Sequence, residues 1–383
     1  MAYSNEPQDY PEKELLEVAE LHYVEGLSHT KIADERGYKS RARVIAMCKA
    51  AVKAGMVRTA VIPSPLFSGE RRRRLASRVR ERFGLLDCII VNGRAEMLSG
   101  IMTSNYREAI LDDIARAAAQ ELESRFRDEK RPCLAVTYGS TARKVADAMP
   151  TGDGKASAGC VVPALGVRHE MMDRFGANAI ARDIARQLGC GYKSLPLPAM
   201  LPNNTALLAA ITQIDLVREV WESIQSANLA LFALGTLHQT REHYEAEKQE
   251  TIESNQMILS KSEMTLMRDN PHHSAIGNLG GWWFDVEGRD VAHPSGKVLF
   301  GIGLERVRTM VHERKPVILV TGADETYIPA LSVALSSQNP LCNVWVGDEV
   351  TAHVLLGDWQ LESGATGDSR FFDQEIEVMK TLY

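Results

Sequence analysis

The chain has 383 residues, 45% of them apolar and 25% charged, with a formal net charge of −6. That length supports two or three domains with cores of their own, and the composition is that of an ordinary globular protein. No apolar run approaches the ~20 residues a membrane-spanning helix needs, and the polar, acidic start MAYSNEPQDYPEKE is unlike a secretory signal. A cytoplasmic protein with no membrane partner is expected.

The charge is polarised along the chain. From Arg36 to Arg82 fourteen Lys and Arg stand against two acids, whereas residues 1–35 and the long remainder are both acidic. Positive charge gathered near one end suits docking on a polyphosphate, because each neutralised phosphate releases condensed counterions. Duplex DNA is the favoured partner. The six cysteines, at 48, 88, 133, 160, 190 and 342, are scattered singly without a CxxC motif or Cys/His pairs at metal spacing. They read as reduced packing residues, with no metal and no cofactor implied.

In chain order, residues 11–24 predict a supporting helix with Leu15, Leu16, Ala19 and Tyr23 on one face. Gly26 breaks it, Ser28 caps a short second helix with Ile32 and Ala33 as inner contacts, and Gly37 permits a tight turn. Ser40 caps a third helix whose buried stripe is expected to be Val44, Ile45, Cys48 and Val52, with Arg41, Arg43, Lys49 and Lys53 outward. Lys39, Ser40, Arg41, Ala42 and Arg43, with Lys49 farther along, are the candidate DNA-binding residues in a major groove. Residues 1–63 thus read as a helix-turn-helix domain, and the β-branched VRTAVIP that follows the third helix suggests a wing. The competing reading is a plain helical bundle with solvated charge.

Pro63-Ser-Pro65 marks a boundary, after which GERRRRLASRVRERFGL predicts a linker helix within 64–84. Its arginines could contact DNA backbone, join two subunits or simply be solvated. Residues 85–383 change pattern to short apolar runs alternating with amphipathic helices. The strand candidates are CIIVN, CLAVTYG, CVVPALG, LALFALG, VLFGIG, PVILVTG and CNVWVGD, most of them ending in glycine. Helices are predicted over 106–127, 141–148, 178–188 and 328–336. Continuous apolar strands with helical crossovers predict an α/β effector domain with a mainly parallel sheet covered on both faces.

In such sheets ligands bind outside the carboxyl ends of the strands. Gly139-Ser140-Thr141, which ends one strand and opens a helix, offers hydroxyls and backbone N–H groups to a phosphate or sugar; a capped helix start explains the same residues.

Eight blocks in order resemble the SorC family of sugar-responsive bacterial transcriptional regulators along essentially the whole chain. They are AELHYVEGLSHTKIADERGYKSRARVIAMCKAAVKAGMV, ERFGLLDCIIVN, LAVTYGSTARKVADAM, VVPALGVRHEMMDRFGANAIARDIARQLGCGYKSLPLPA, LALFALG, SAIGNLGGWWFDVEGR, VILVTGADETYIPALSVALSSQNP and LCNVWVGDEVTAHVLL. The resemblance implies an effector domain similar in fold to sugar-phosphate isomerases and deaminases, with the ligand in the old active-site cleft. It places Tyr138, Gly139, Ser140 and Thr141 at one end of the ligand, Arg168 and His169 after the third strand, Gly235 after the fourth, Asn278 on the flank, and Gly322, Asp324 and Tyr327 at the closing side. A homo-oligomer, dimer or tetramer, is also implied.

Where many members carry a lysine, Tyr327 stands here, and Asn278 replaces a common aspartate. A neutral sugar or polyol effector follows, with Asp324 accepting hydroxyl protons. Alternatively Asp324 and Glu325 cap the helix beginning near Thr326, and Arg168 or Arg143 could still hold a sugar phosphate. There is no GxSxG, HExxH, phosphate-binding GxxxxGK[ST] or GxGxxG after a strand, so no catalytic residue is assigned. His272-His273 read as surface loop rather than zinc ligands, Trp282-Trp283-Phe284 as core or interface rather than a sugar platform, and 237–270 as an exposed helical excursion. The expected protein is a ligand-gated regulator of a carbohydrate or polyol operon. The alternative is a sugar-phosphate isomerase or deaminase-like enzyme bearing a basic head, for which Asp285, Glu287, Asp324 and Asp348 are the available acids.

Overall fold

The computed structural model describes residues 10–24, 27–54, 56, 70–92, 104–150, 158–167, 174–236 and 274–358. The expected wing and the 237–270 excursion lie outside them, as do Arg168, His169 and the His272-His273 pair. The chain divides into two compact units, Met1–Pro63 and Ser64–Tyr383.

In the first unit α1 (Glu12–Ala19) runs on into a π-helical turn (Glu20–Val24), followed by α2 (His29–Arg36) and α3 (Arg41–Lys53). Ser28 accepts the Lys31 N–H at 3.3 Å and Ser40 accepts the Arg43 N–H at 3.4 Å, so both helices start where a side-chain oxygen satisfies an orphan amide. Gly37 ends α2 at φ 67, a left-handed conformation that costs any other L-residue about 1–2 kcal/mol.

The core of this unit joins Leu15, Val18, Ala19 and Leu21 to Ile32, Ala33, Val44, Met47, Cys48 and Ala51. Two expected faces are corrected. Leu16 and Tyr23 are exposed, the latter because the π-helical turn widens the helix and shifts its phase after Ala19. In α3 the buried stripe is Val44, Met47, Cys48 and Ala51, while Val52 is exposed: steps of four residues drift round an α-helix, and alternating three and four keeps to one face.

The second unit opens with α4 (Glu70–Phe83), which packs on β1 (Asp87–Val91). Then come α5 (Ser104–Asp128), β2 (Cys133–Val136), α6 (Ser140–Asp147), β3 (Cys160–Pro163), α7 (Ala177–Leu188), β4 (Gly191–Tyr192), β5 (Met200–Pro202), α8 (Thr205–Thr212), α9 (Asp215–Gln225) and β6 (Leu229–Gly235). After the 237–273 interval follow β7 (Gly277–Leu279), β8 (Trp282–Phe284), β9 (Asp290–Val291), β10 (Lys297–Leu299), α10 (Gly303–His312), β11 (Val317–Val320), α11 (Ile328–Leu335), β12 (Val344–Asp348) and α12 (Glu349–Leu355).

The main sheet has the order β1-β12-β11-β6-β2-β3-β4, every pair parallel. Successive residues of its inner strands serve opposite faces. Leu134, Val136, Leu231, Ile318, Val320, Val344 and Val346 meet α5, α6 and α7, whereas Ala135, Ala230, Phe232, Leu319 and Trp345 meet the α9, α10, α11 and α12 side. Burial of each such valine or leucine is worth about 1.5–3 kcal/mol, which makes this two-sided core the main stabilising element.

The sheet is the mixed α/β, mostly parallel one that the strand runs predict, with two departures. VLFGIG forms β10, which pairs antiparallel with β5 in a separate ribbon, and β7, β8 and β9 make an antiparallel meander on the end of β6. Trp282, Trp283 and Phe284 are all buried in that meander.

Candidate functional site

The chain runs from β2 to β3 and β4 on one side of the sheet and from β6 to β11 and β12 on the other, so the direction of winding reverses between β2 and β6. A crevice opens outside the carboxyl ends of the strands at such a point. On the β2 side, Gly139 is the N-cap of α6 and has no side chain with which to cap it; its own N–H is taken by Phe175 O at 2.9 Å. The first-turn amides of α6 therefore end in a position suited to an oxygen-rich ligand. Ser140 is exposed beside them, and Tyr138 and Thr141 are half-buried.

On the β6 side, Gly235 pairs with Asn278 across β7, so close that a Cβ at Gly235 would stand 2.4 Å from Asn278 Nδ2. Asn278 Oδ1 accepts the Gly281 N–H at 3.2 Å and closes the β7–β8 turn. The sequence reading missed a further feature. Thr137, Thr236 and Thr321 each follow the last residue of a strand, β2, β6 and β11, which are neighbours in the sheet, and all three are buried. The Thr137 and Thr321 hydroxyl oxygens have no protein partner, an uncommon state for buried polar atoms. The only signal in the sequence was the repeated threonine after an apolar run.

Beyond β11, Asp324 is 8% exposed and ion-paired with Arg107, and its carboxylate accepts the Thr326 N–H at 2.9 Å and the Thr326 hydroxyl at 2.8 Å. The capping arrangement, left open by the sequence, is what the geometry gives, and a sugar hydroxyl would have to share this carboxylate. Tyr327 ends a short 3-10 turn, half-buried against the core. Arg107 is a cation the sequence reading did not find.

Among the described residues two further cations are also matched. Arg143 is buried and bonds Asp147 at 2.7 Å and Asp183 at 2.8 Å; partial burial works to raise the Asp183 carboxyl, but Arg143 holds it below the ordinary range. Lys144 bonds Asp112 at 2.6 Å and Glu108 at 3.2 Å. Arg143, a candidate phosphate ligand, is thus already ion-paired in this structure.

The acids available for catalysis are likewise engaged. Asp285 is 2% exposed and accepts N–H groups from Glu287 and Arg289 and the Arg289 Nε, fastening the β8–β9 turn. Burial tends to raise its pKa, and these donors overcome that and lower it. Asp348, fully buried, caps α12 by accepting from Val350 N, Thr351 N and Thr351 Oγ1. A separate concavity of about 680 Å³ lies beside the meander, lined by Trp221, Trp282, Trp283, His293, Lys297 and Arg306 among others, and none of the residues singled out for the ligand border it. The uncapped start of α6 and the buried, unpartnered Thr137 and Thr321 hydroxyls lie instead at the switch point.

In the first unit Lys39 and Ser40 before α3, Arg41 and Ala42 at its start and Lys49 two turns on are exposed. Arg43 is partly exposed and also makes contacts within the unit. Its guanidinium lies 3.6 Å from Glu14 and over the Tyr38 ring at 5.3 Å, so it ties α3 to α1.

Residues 69–357 match the family model described as "Putative sugar-binding domain". The chain belongs to that family. Among solved structures it is similar to the full-length sorbitol operon regulator SorC from Klebsiella pneumoniae, at 19% identity and a TM-score of 0.62 over 91% of this chain and 100% of that one. It is also similar to a DeoR family transcriptional regulator from Listeria monocytogenes, at 19% identity and 0.57 over 75% and 100%, and to a transcriptional regulator from Streptococcus pneumoniae TIGR4, at 15% and 0.59 over 75% and 97%. At these identities the likeness speaks for the fold. No curated protein matches the chain significantly. The family expected from the ordered sequence blocks is the one matched, and the sugar-binding domain begins next to α4, which packs with the sheet. Among the described residues no helix is long and apolar enough to cross a membrane.

Proposed function

We propose that this protein is a DNA-binding transcriptional regulator of a carbohydrate or polyol operon, its operator affinity set by a small sugar-type effector in the crevice of the second unit. The observation that carries the reading is the pairing of two separate features: in one unit two serine-capped helices with exposed basic residues at the start of the second, and in the other a sugar-binding-family domain with an uncapped helix start and buried, unpartnered threonine hydroxyls at its switch point.

The first unit is a helix-turn-helix, winged by the strand expected after α3, with Lys39 and Arg41 at the start of α3 facing bases or phosphates. One such head makes too few contacts for useful specificity, so the operator-bound form is a homo-oligomer, a dimer or tetramer, with heads on half-sites about one helical turn apart. The second unit is similar to the sugar-phosphate isomerase fold, and Tyr138 to Thr141, Gly235, Asn278 and Gly322 to Tyr327 surround the effector. Among the described residues Arg107, Arg143 and Lys144 are already matched by carboxylates, which favours an uncharged sugar or polyol whose hydroxyls meet the α6 amides. Effector binding shifts operator affinity only to the extent that it favours one arrangement of the heads.

Footprinting on DNA upstream of the protein's own gene, with and without candidate sugars, tests the reading. Protection that neutral sugars alter supports it, and protection indifferent to every sugar overturns the switch. The enzyme alternative is disfavoured because Asp285, Asp324 and Asp348 are committed to turns and caps. Turnover of a sugar phosphate by the purified chain would restore it.

A further inference from the structure

Cys133 opens β2 and Cys160 opens β3, and the two are direct partners in the parallel register. Their sulfurs lie 3.4 Å apart, and both residues are half-buried rather than sealed in the core like Cys48, Cys88 and Cys342. Neighbouring strands run about 4.8 Å apart, inside the Cα separation that a disulfide spans. The Lys193 ammonium, anchored on Ser223 Oγ at 2.9 Å, acts on both sulfurs and favours a thiolate. The contact with the Cys133 thiol and this positive charge bring Cys160 down to about 7, whereas burial pushes neighbouring Cys190 up to about 12. One member of the pair is therefore set up to react and the other to resolve it.

We propose that Cys133 and Cys160 form a peroxide-reactive dithiol, a modification site that closes to a reversible disulfide across the starts of β2 and β3. The Cys160 thiolate attacks one oxygen of hydrogen peroxide; the O–O bond breaks, the departing hydroxide takes up a proton as water, and Cys160 becomes a sulfenic acid. The Cys133 sulfur then attacks that sulfenic sulfur. An S–S bond forms, the S–O bond breaks, and the hydroxyl leaves with the Cys133 proton as a second water. Two electrons pass from the two thiols to one peroxide. Side chains of parallel partners stand side by side, so bridging must draw the two Cβ atoms together, and a bond made under that constraint is readily reduced.

The full-length protein, treated with a small excess of hydrogen peroxide, alkylated and digested with trypsin without reduction, provides the test. Cleavage after Lys130 and Arg143 frees the segment holding Cys133, and cleavage after Lys155 and Arg168 frees the segment holding Cys160. The expected product is these two peptides covalently joined, lost again on treatment with dithiothreitol. In Cys133→Ser the Cys160 sulfenic acid should persist and be trapped by dimedone, and in Cys160→Ser peroxide consumption should slow about tenfold. Thiol loss without the joined peptide, a Cys160–Cys190 link in its place, or reaction no faster than that of free cysteine would overturn the proposal. The wild-type measurement stands whether or not either variant folds.

Discussion

The Asp348 carboxylate, buried at the end of β12, accepts the backbone N–H of Ala323 at 2.7 Å and so fixes the loop that follows the neighbouring strand β11. Ala323 sits at φ 61, a conformation that a non-glycine residue keeps only when its surroundings hold it there. In Asp348→Asn an amide N–H would meet the Ala323 N–H, donor against donor. The expected outcome is a loss of about 2 kcal/mol in a denaturant melt, together with weaker sugar binding by calorimetry because the 322–324 loop is released.

Gly235→Ala tests the other side of the crevice. The added Cβ would displace Asn278 and open the turn that Asn278 holds through Gly281. Overpacking of this kind costs about 1–3 kcal/mol, and sugar affinity measured by calorimetry should fall while DNA binding without sugar is retained.

Arg41 and Arg43 should behave differently despite being two residues apart. Arg41 is exposed, and Arg41→Ala should weaken operator binding and reduce the slope of log affinity against log salt by about 1, read from a titration series. Arg43→Ala removes the contacts to Glu14 and Tyr38, so its main effect should be a lower melting temperature of the first unit.

His29 supplies a pH dependence. Desolvation, then the charges of His22 and Arg41, hold its pKa below the ordinary 6.5, and the His22 ring lies 4.0 Å away. The folded unit binds fewer protons than the unfolded chain between those two values. Stability contributed by neutral His29 is thus full above pH 6.5 and declines as the pH falls through the folded-state value. Hydrogen exchange of α2 and α3 amides should quicken over that range, and His29→Gln should flatten the response.

The strands were the most legible part of the sequence, because a parallel sheet buried on both faces demands unbroken apolar runs such as LALFALG and PVILVTG, and glycine marks their ends. Helix caps were equally plain at Ser28 and Ser40. Helix faces were less so: in α3 Val44 and Cys48 are buried as expected but Val52 is exposed and Met47 and Ala51 complete the stripe, and nothing in ELHYV announces a π-helical turn. α8 gives no clear signal, since TALLAAIT is apolar between its end threonines, without the alternation that marks a surface helix, and none of its residues is buried, whereas α9 carries a helical stripe, Val217, Val220 and Ile224, that the predicted helices left out. At the crevice the glycines and Ser140-Thr141 could be picked out, but not the pairing of Arg107 with Asp324, which joins residues more than two hundred positions apart.

The same remoteness governs the birth of the molecule. Asp87, near the start of the second unit, pairs with Val344, and among the described residues β12 is the only strand beside β1 and the last to be synthesised. Closing so long a loop is slow, and until the ribosome has released β12 the β1 edge stands bare, open to aggregation and proteases. A product terminated before β12 would keep Met1–Pro63 whole but leave β1 without this partner.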